Sequence, residues 1–167
     1  MVKLFYNLHP MNRIVIRHGL QMRGHPFENE GFGPPLTDQA LADSRFLAAQ
    51  LRYEWAEKNE EIDLGNIAVS SALRARQTAK ALGATYTPEY EQLSEVELTE
   101  AQKHAMLQSN NIPYVALEMG AELAANPPGE HQVIITHGGR IAGLCAFMGI
   151  HIEQFLPAHL EYRVIDF

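Results

Sequence analysis

Two short stretches hold the side chains best suited to chemistry. "IVIRHG", Ile14 to Gly19, runs three apolar residues straight into Arg17, His18 and Gly19. "VIITHGGR", Val133 to Arg140, repeats the plan and ends in Thr136, His137, Gly138, Gly139 and Arg140. Between them, "VSSALRARQT" places Ser70 and Ser71 after a third apolar run, with Arg74 in the helix that follows. Neutral imidazole is a nucleophile and a base at physiological pH, and guanidinium is a planar fork that fits anions. Alone, each feature has an ordinary explanation: a surface histidine, a solvated arginine, a glycine turn. Together they imply one shared pocket, because open α/β sheets bind ligands outside the carboxyl ends of their strands. Such a pocket would hold two imidazoles, hydroxyls and arginines, which is an anion site.

The chemistry of that anion narrows by elimination. No GxxxxGK[ST] loop and no GxGxxG turn follows a strand, and neither HExxH, CxxC nor GxSxG occurs. No metal site and no cofactor is expected. Histidine surrounded by arginines suits phosphoryl transfer. A neutral imidazole attacks phosphorus and forms a covalent phosphohistidine, which splits one hard step into two easier ones. Guanidinium groups stabilise the charge on the equatorial oxygens. The same cations disfavour imidazolium and keep His18 nucleophilic.

These side chains need rigid mounts, and the hydrophobic pattern supplies them. Strands are predicted over residues 12–16, 67–71 and 132–136, and a last one over 161–167. Thr37 is placed as the N-cap of a helix reaching Ala56, with Asp38 in its first turn. "ALRARQTAKALG" is a helix stopped by Gly83. Further helices are expected over 99–108, 115–125 and 140–148. Residues 84–98 read as a loop with room for an edge strand, and 17–35 as a long Gly- and Pro-rich loop of the functional kind. Alternating strands and helices predict a three-layer α/β/α fold with a mostly parallel, mixed sheet. The 167 residues suit one domain over 1–167, with 1–10 as an N-terminal extension or a short extra strand.

Composition limits the partners. The formal net charge of −7 argues against nucleic acid and anionic membranes. The only cysteine, Cys145, lies in an apolar helical run and reads as a core thiol, so no intrachain disulfide forms. No apolar stretch is long enough for a membrane span, and the N-terminus lacks the plan of a signal peptide. A cytoplasmic location is the resulting expectation. No oligomeric state follows from the sequence.

"RHG" after a strand, "PLT" opening a helix, "SSALRARQTAKAL" and "VIITHGGRIAGL" occur in one order across residues 12 to about 150. In that order they resemble the histidine phosphatase superfamily, of phosphoglycerate mutase-like fold. The resemblance implies that His18 is the nucleophile, that Arg17 and Arg74 clamp phosphate, and that His137 is the second catalytic histidine. It makes Glu95, in "LSE", the proton donor, with Glu97 as the alternative. Arg23 and Gly138 are further phosphate contacts on this reading. The chain departs from the family where "LQMRGHP" follows RHG: no Asn occupies the expected place, and Arg23 and His25 are the nearest candidates. Gly33 also stands where the family has Asp before "PLT". The short span between Glu95 and His137 leaves little room for a mutase lid, so the resemblance implies a compact phosphatase. Its substrate would be a phosphorylated small molecule or a phosphohistidine protein. A mutase-type phosphotransferase and a non-catalytic phosphate-binding module are the other readings.

Overall fold

The computed structural model describes residues 11–24, 33–109, 111–151 and 157–167. The reading of residues 1–10 as an extension or strand, and that of His25, lie outside these. Four strands, β1 (Asn12–Arg17), β2 (Ile67–Val69), β3 (Val133–Thr136) and β4 (Tyr162–Asp166), form one sheet in the order β2-β3-β1-β4. β2, β3 and β1 are parallel, and β4 runs antiparallel along β1. The sheet is therefore mixed and mostly parallel, as the pattern predicts.

Strand residues alternate between two cores because successive side chains point to opposite faces. Ile14, Ile16, Ile67, Val69, Val133 and Ile135 meet Leu47, Leu51 and Trp55 of α1 (Asp38–Glu57) and Ala75, Ala79 and Leu82 of α2 (Leu73–Leu82). Val15, Ala68, Ile134 and Ile165 face the other way, towards Leu123 of α4 (Tyr114–Ala125) and Ile141, Leu144 and Cys145 of α5 (Gly138–Phe147). The remaining helix, α3 (Glu100–Ser109), packs Met106 against Ala142. Helices thus cover both faces of the sheet. Cys145 is fully buried, and burial pushes its thiol up from the ordinary value.

Local chemistry sets the helix ends. The Thr37 hydroxyl accepts from the Ala40 amide at 3.1 Å, the expected N-cap. Gly83 adopts φ 109°, a left-handed conformation that glycine takes without steric cost, and ends α2. α5 begins at Gly138 with His137 as its cap, two residues earlier than the pattern of apolar side chains suggests. The edge strand anticipated within 84–98 reduces to two isolated parallel bridges, Asn66 with Tyr86 and Val69 with Glu89. Pro88 interrupts that segment and has no amide to continue a ladder.

α4 and α5 cross with almost no side-chain spacer. A Cβ added at Gly143 would lie 1.8 Å from the Ala116 carbonyl oxygen, and one at Gly120 would lie 2.2 Å from the Gly143 carbonyl carbon. The crossing fixes the helix that His137 caps.

Candidate active site

The parallel register builds the site. Arg17 pairs with Thr136, so His18 and His137 emerge side by side at the carboxyl edge of the sheet. The His18 amide still reaches the Thr136 carbonyl at 3.1 Å. The ring centroids are 5.0 Å apart, and both histidines are nearly fully buried. Val69 pairs with Ile135, which brings Ser70 to the same edge.

Hydrogen bonds fix the His18 tautomer. Its Nδ1 lies 2.7 Å from the Gly19 carbonyl oxygen, which can only accept, so Nδ1 carries the proton. Nε2 is therefore a lone pair, and it accepts from Arg74 Nε at 3.1 Å. Burial lowers the His18 pKa to about 3, with the Arg74 and Arg17 charges adding to it against the opposing bond to Gly19. The imidazole is neutral and its nucleophilic nitrogen already faces a guanidinium.

The same guanidinium reaches two further groups. Arg74 Nη2 lies 3.3 Å from His137 Nδ1 and 2.5 Å from Glu95 Oε2. Arginine only donates, so His137 accepts at Nδ1 and carries its proton on Nε2, which meets the Ser70 hydroxyl at 2.8 Å. Burial, then the neighbouring His18 and Arg74, lower the His137 pKa to about 2. Arg74 itself is 6% exposed. The glycine in place of Asp before "PLT" acquires a physical reason here. Gly33 sits at φ +69°, and a Cβ there would approach Arg74 Nη1 to 2.8 Å.

The other motif residues hold this group in place. Thr78 accepts from the Gly19 amide at 3.0 Å and donates to the Arg74 carbonyl at 2.7 Å, tying β1's end to α2. Gln77 accepts from the Leu36 amide at 2.7 Å, which joins the "PLT" segment to "RARQT". Thr136 donates to the Leu93 carbonyl at 2.7 Å. Arg140 does not enter the pocket. It is 1% exposed, and Nε and Nη2 both donate to the Ser94 carbonyl, at 3.1 and 2.9 Å, while Nη1 donates to Met119 O at 3.0 Å. The anticipated arginine on the far side of the site is thus a clamp on the loop that carries Glu95. A long side chain ending in five donors finds its carbonyl partners inward, across α4, because α5 begins just before it.

A cavity of about 200 Å³ opens over these groups, lined by Arg17, His18, Leu20, Gln21, Arg23, Glu95 and His159. Arg17 Nη1 donates to the Pro157 carbonyl at 2.5 Å, while its Nε is buried with no partner among the described residues. Arg23 is exposed at the cavity wall. Glu95 is mostly exposed apart from its bond to Arg74. Glu97 is exposed, and Ser71 is too. Gly138 starts α5 next to His137 and is buried outside the cavity lining.

His159 also lines the cavity, and no residue type or spacing in the sequence marks it. "PAHLEYR" reads only as a loop before a strand. Because β4 is antiparallel to β1, the turn that enters β4 lies at the end where β1 leaves the sheet. An antiparallel assignment of that last strand was the signal that could have found it.

No protein-family model matches the sequence, and no curated protein matches it. Solved structures do match in three dimensions. The TTHB049 protein of Thermus thermophilus superposes at TM-score 0.61 with 20% identity, over 93% of this chain and 94% of that one. A phosphoserine phosphatase from Entamoeba histolytica, solved with 3-phosphoglyceric acid, gives 0.59 and 13% over 93% and 94%. A mycobacterial glucosyl-3-phosphoglycerate phosphatase, solved with VO3, gives 0.52 and 18% over 92% and 97%. The fold is phosphoglycerate mutase-like. Within the phosphoglycerate mutase-like fold, the carboxyl edge of the parallel strands is where this chain gathers Arg17, His18, Arg74 and His137. No helix among the described residues is long and apolar enough to cross a membrane.

Proposed function

We propose that the protein is a phosphatase of the histidine phosphatase superfamily that hydrolyses phosphomonoesters through a phosphohistidine on His18. One observation carries the reading: a buried, neutral imidazole whose Nε2 lone pair points at a buried guanidinium. Fold similarity to two phosphatases supports it.

On this reading phosphate displaces the internal partners of Arg74. The phosphoryl oxygens take the N–H groups now given to His18, His137 and Glu95, which bares Nε2 for attack. The orphan Nε of Arg17 gains an acceptor, and Arg23 at the cavity wall meets the outer oxygens. As the N–P bond forms, the P–O bond to the leaving group breaks, and Glu95 supplies that oxygen's proton. Glu95, now a carboxylate, takes a proton from the water that attacks phosphorus; the N–P bond breaks, and inorganic phosphate leaves with His18 Nε2 and the Glu95 acid restored. With phosphate in place of Arg74 against Nδ1, His137 takes the other neutral tautomer: Nδ1–H donates to the phosphoryl group during both transfers, and the Ser70 hydroxyl donates to Nε2 and fixes the ring.

The test is release of phosphate from an aryl phosphate, followed by a panel of sugar phosphates, phosphoglycerates, nucleotides and a phosphohistidine protein. Wild type should turn over, and His18→Ala should lose at least about 1,000-fold in rate. An undiminished rate in that variant would sink the nucleophile assignment. Binding of phosphate without turnover would mark a binding module instead.

Glu95 has its own signature. Glu95→Gln is expected to slow alkyl phosphates by about 100-fold or more and aryl phosphates by less than about tenfold, since phenolate leaves without a proton. Equal losses would assign the acid elsewhere, Glu97 first. Full activity of Glu95→Gln on a phosphohistidine protein alone would favour that substrate, because its imidazole leaves readily.

A further inference from the structure

The turn from Pro157 to Glu161 is bound to the end of β1 by more contacts than a connection needs. Leu160 N–H donates to Arg17 O at 3.0 Å, and Arg17 N–H donates to Glu161 O at 3.0 Å. Arg17 Nη1 donates to Pro157 O, and His159 Nδ1 lies 3.2 Å from His18 O. The Glu161 carboxylate accepts from the Ala158 amide at 2.5 Å and closes the turn on itself. Leu160 is held at φ 64°, a left-handed conformation that costs a side chain energy and persists only where its surroundings enforce it. Backbone strain of this kind clusters at functional sites.

The strained turn delivers His159 to the cavity wall, with its ring centroid 5.5 Å from that of His18. A backbone carbonyl only accepts, so the bond to His18 O places a proton on Nδ1. Nε2 is then the nitrogen that can meet a ligand. The charged and titratable groups around the ring are Arg17 and His18 at the end of β1, Arg23 beyond it, Arg74 on α2, Glu95 across the cavity and Glu161 in its own turn. Three of these are arginines. Burial and the Arg17 charge lower the His159 pKa in the empty site. A phosphate dianion neutralises those arginines and reverses their effect.

We propose that His159 is a further phosphate-binding residue, which gains a proton when a dianionic phosphate enters and then donates from Nε2. The proposal rests on the phosphatase reading of the pocket. It makes the site self-adjusting: one cation fewer when empty, one more when a dianion arrives.

Inorganic phosphate, measured as a competitive inhibitor of aryl phosphate turnover, tests it. His159→Asn keeps a donor at the Nδ1 position and removes Nε2. The ratio of variant to wild-type inhibition constants cancels phosphate's own titration. That ratio should be about tenfold near pH 6 and fall below about threefold near pH 8, since a charge-assisted bond is lost only where the imidazole is charged. An equal ratio at both pH values overturns the His159 role and leaves the phosphatase reading standing. NMR of the wild type gives a second readout, in which the Cε1–H resonance missing from His159→Asn should titrate at higher pH with phosphate bound. An unmoved resonance also overturns the proposal. Failure of wild type to bind phosphate or to turn over would overturn both readings.

Discussion

With Arg74 replaced by Lys, kcat/KM for an aryl phosphate is expected to fall by at least about 100-fold, and by more with Ala. Among the described residues, Arg74 is the one side chain that hydrogen-bonds His18, His137 and Glu95 together. A guanidinium does this because its donors point in fixed, different directions in one plane. Lysine offers a single ammonium that cannot keep Nε2 of His18, Nδ1 of His137 and the carboxylate at the same time. The substitution preserves charge, so a large loss assigns the effect to geometry. Arg74→Ala separates the electrostatic part. Without that cation both imidazoles move up towards the ordinary range, although burial, the larger cause of their depression, stays. The acid limb of the rate profile should therefore move to higher pH. Activity within about threefold of wild type in Arg74→Lys would remove Arg74 from the mechanism.

Gly143→Ala is expected to destabilise the fold by more than about 3 kcal/mol, near the upper end for overpacking, because the added methyl meets backbone that cannot swing aside. The Ala116 carbonyl would lie 1.8 Å from the new Cβ. For a chain of this size that corresponds to a melting temperature lower by about 10 °C. Gly139→Ala, one turn earlier on α5, makes the contrast. Its Cβ would meet Val96 at 3.4 Å, an ordinary contact, so it should stay within about 1 kcal/mol of wild type. Thermal unfolding followed by circular dichroism reads both. Equal stability of the two variants would mean that α4 and α5 separate more easily than their crossing implies.

The strands were legible because Ile14, Val15 and Ile16, and their counterparts in β3, are buried on both faces and so form continuous apolar runs. Their ends were legible because polar residues follow such runs only where a function or a turn requires them. The parallel pairing that unites His18 with His137 follows from the same pattern. What side-chain type does not reveal is direction. Arg140 and Arg74 both follow a strand end by a few residues, yet one turns inward to carbonyls and the other crosses to the imidazoles. That choice depends on where α4 and the Ser94 loop pack, which is set by residues distant in sequence. The Gly120–Gly143 crossing was hidden for a related reason, since a glycine within a helical pattern does not state what it lies against. His159 needed the antiparallel sense of β4, a long-range property that the apolar run of β4 alone does not encode.

On the proposed mechanism His18 Nε2 becomes covalently phosphorylated. The most direct measurement is mass spectrometry of wild-type protein quenched in alkali during turnover of an aryl phosphate, since a phosphoramidate bond hydrolyses in acid. The expected result is one phosphoryl group, placed by fragmentation on His18 and absent from His18→Ala. A phosphoryl group on Ser70, Ser71 or His137, or steady turnover with no phosphorylated protein at any time point, would contradict it.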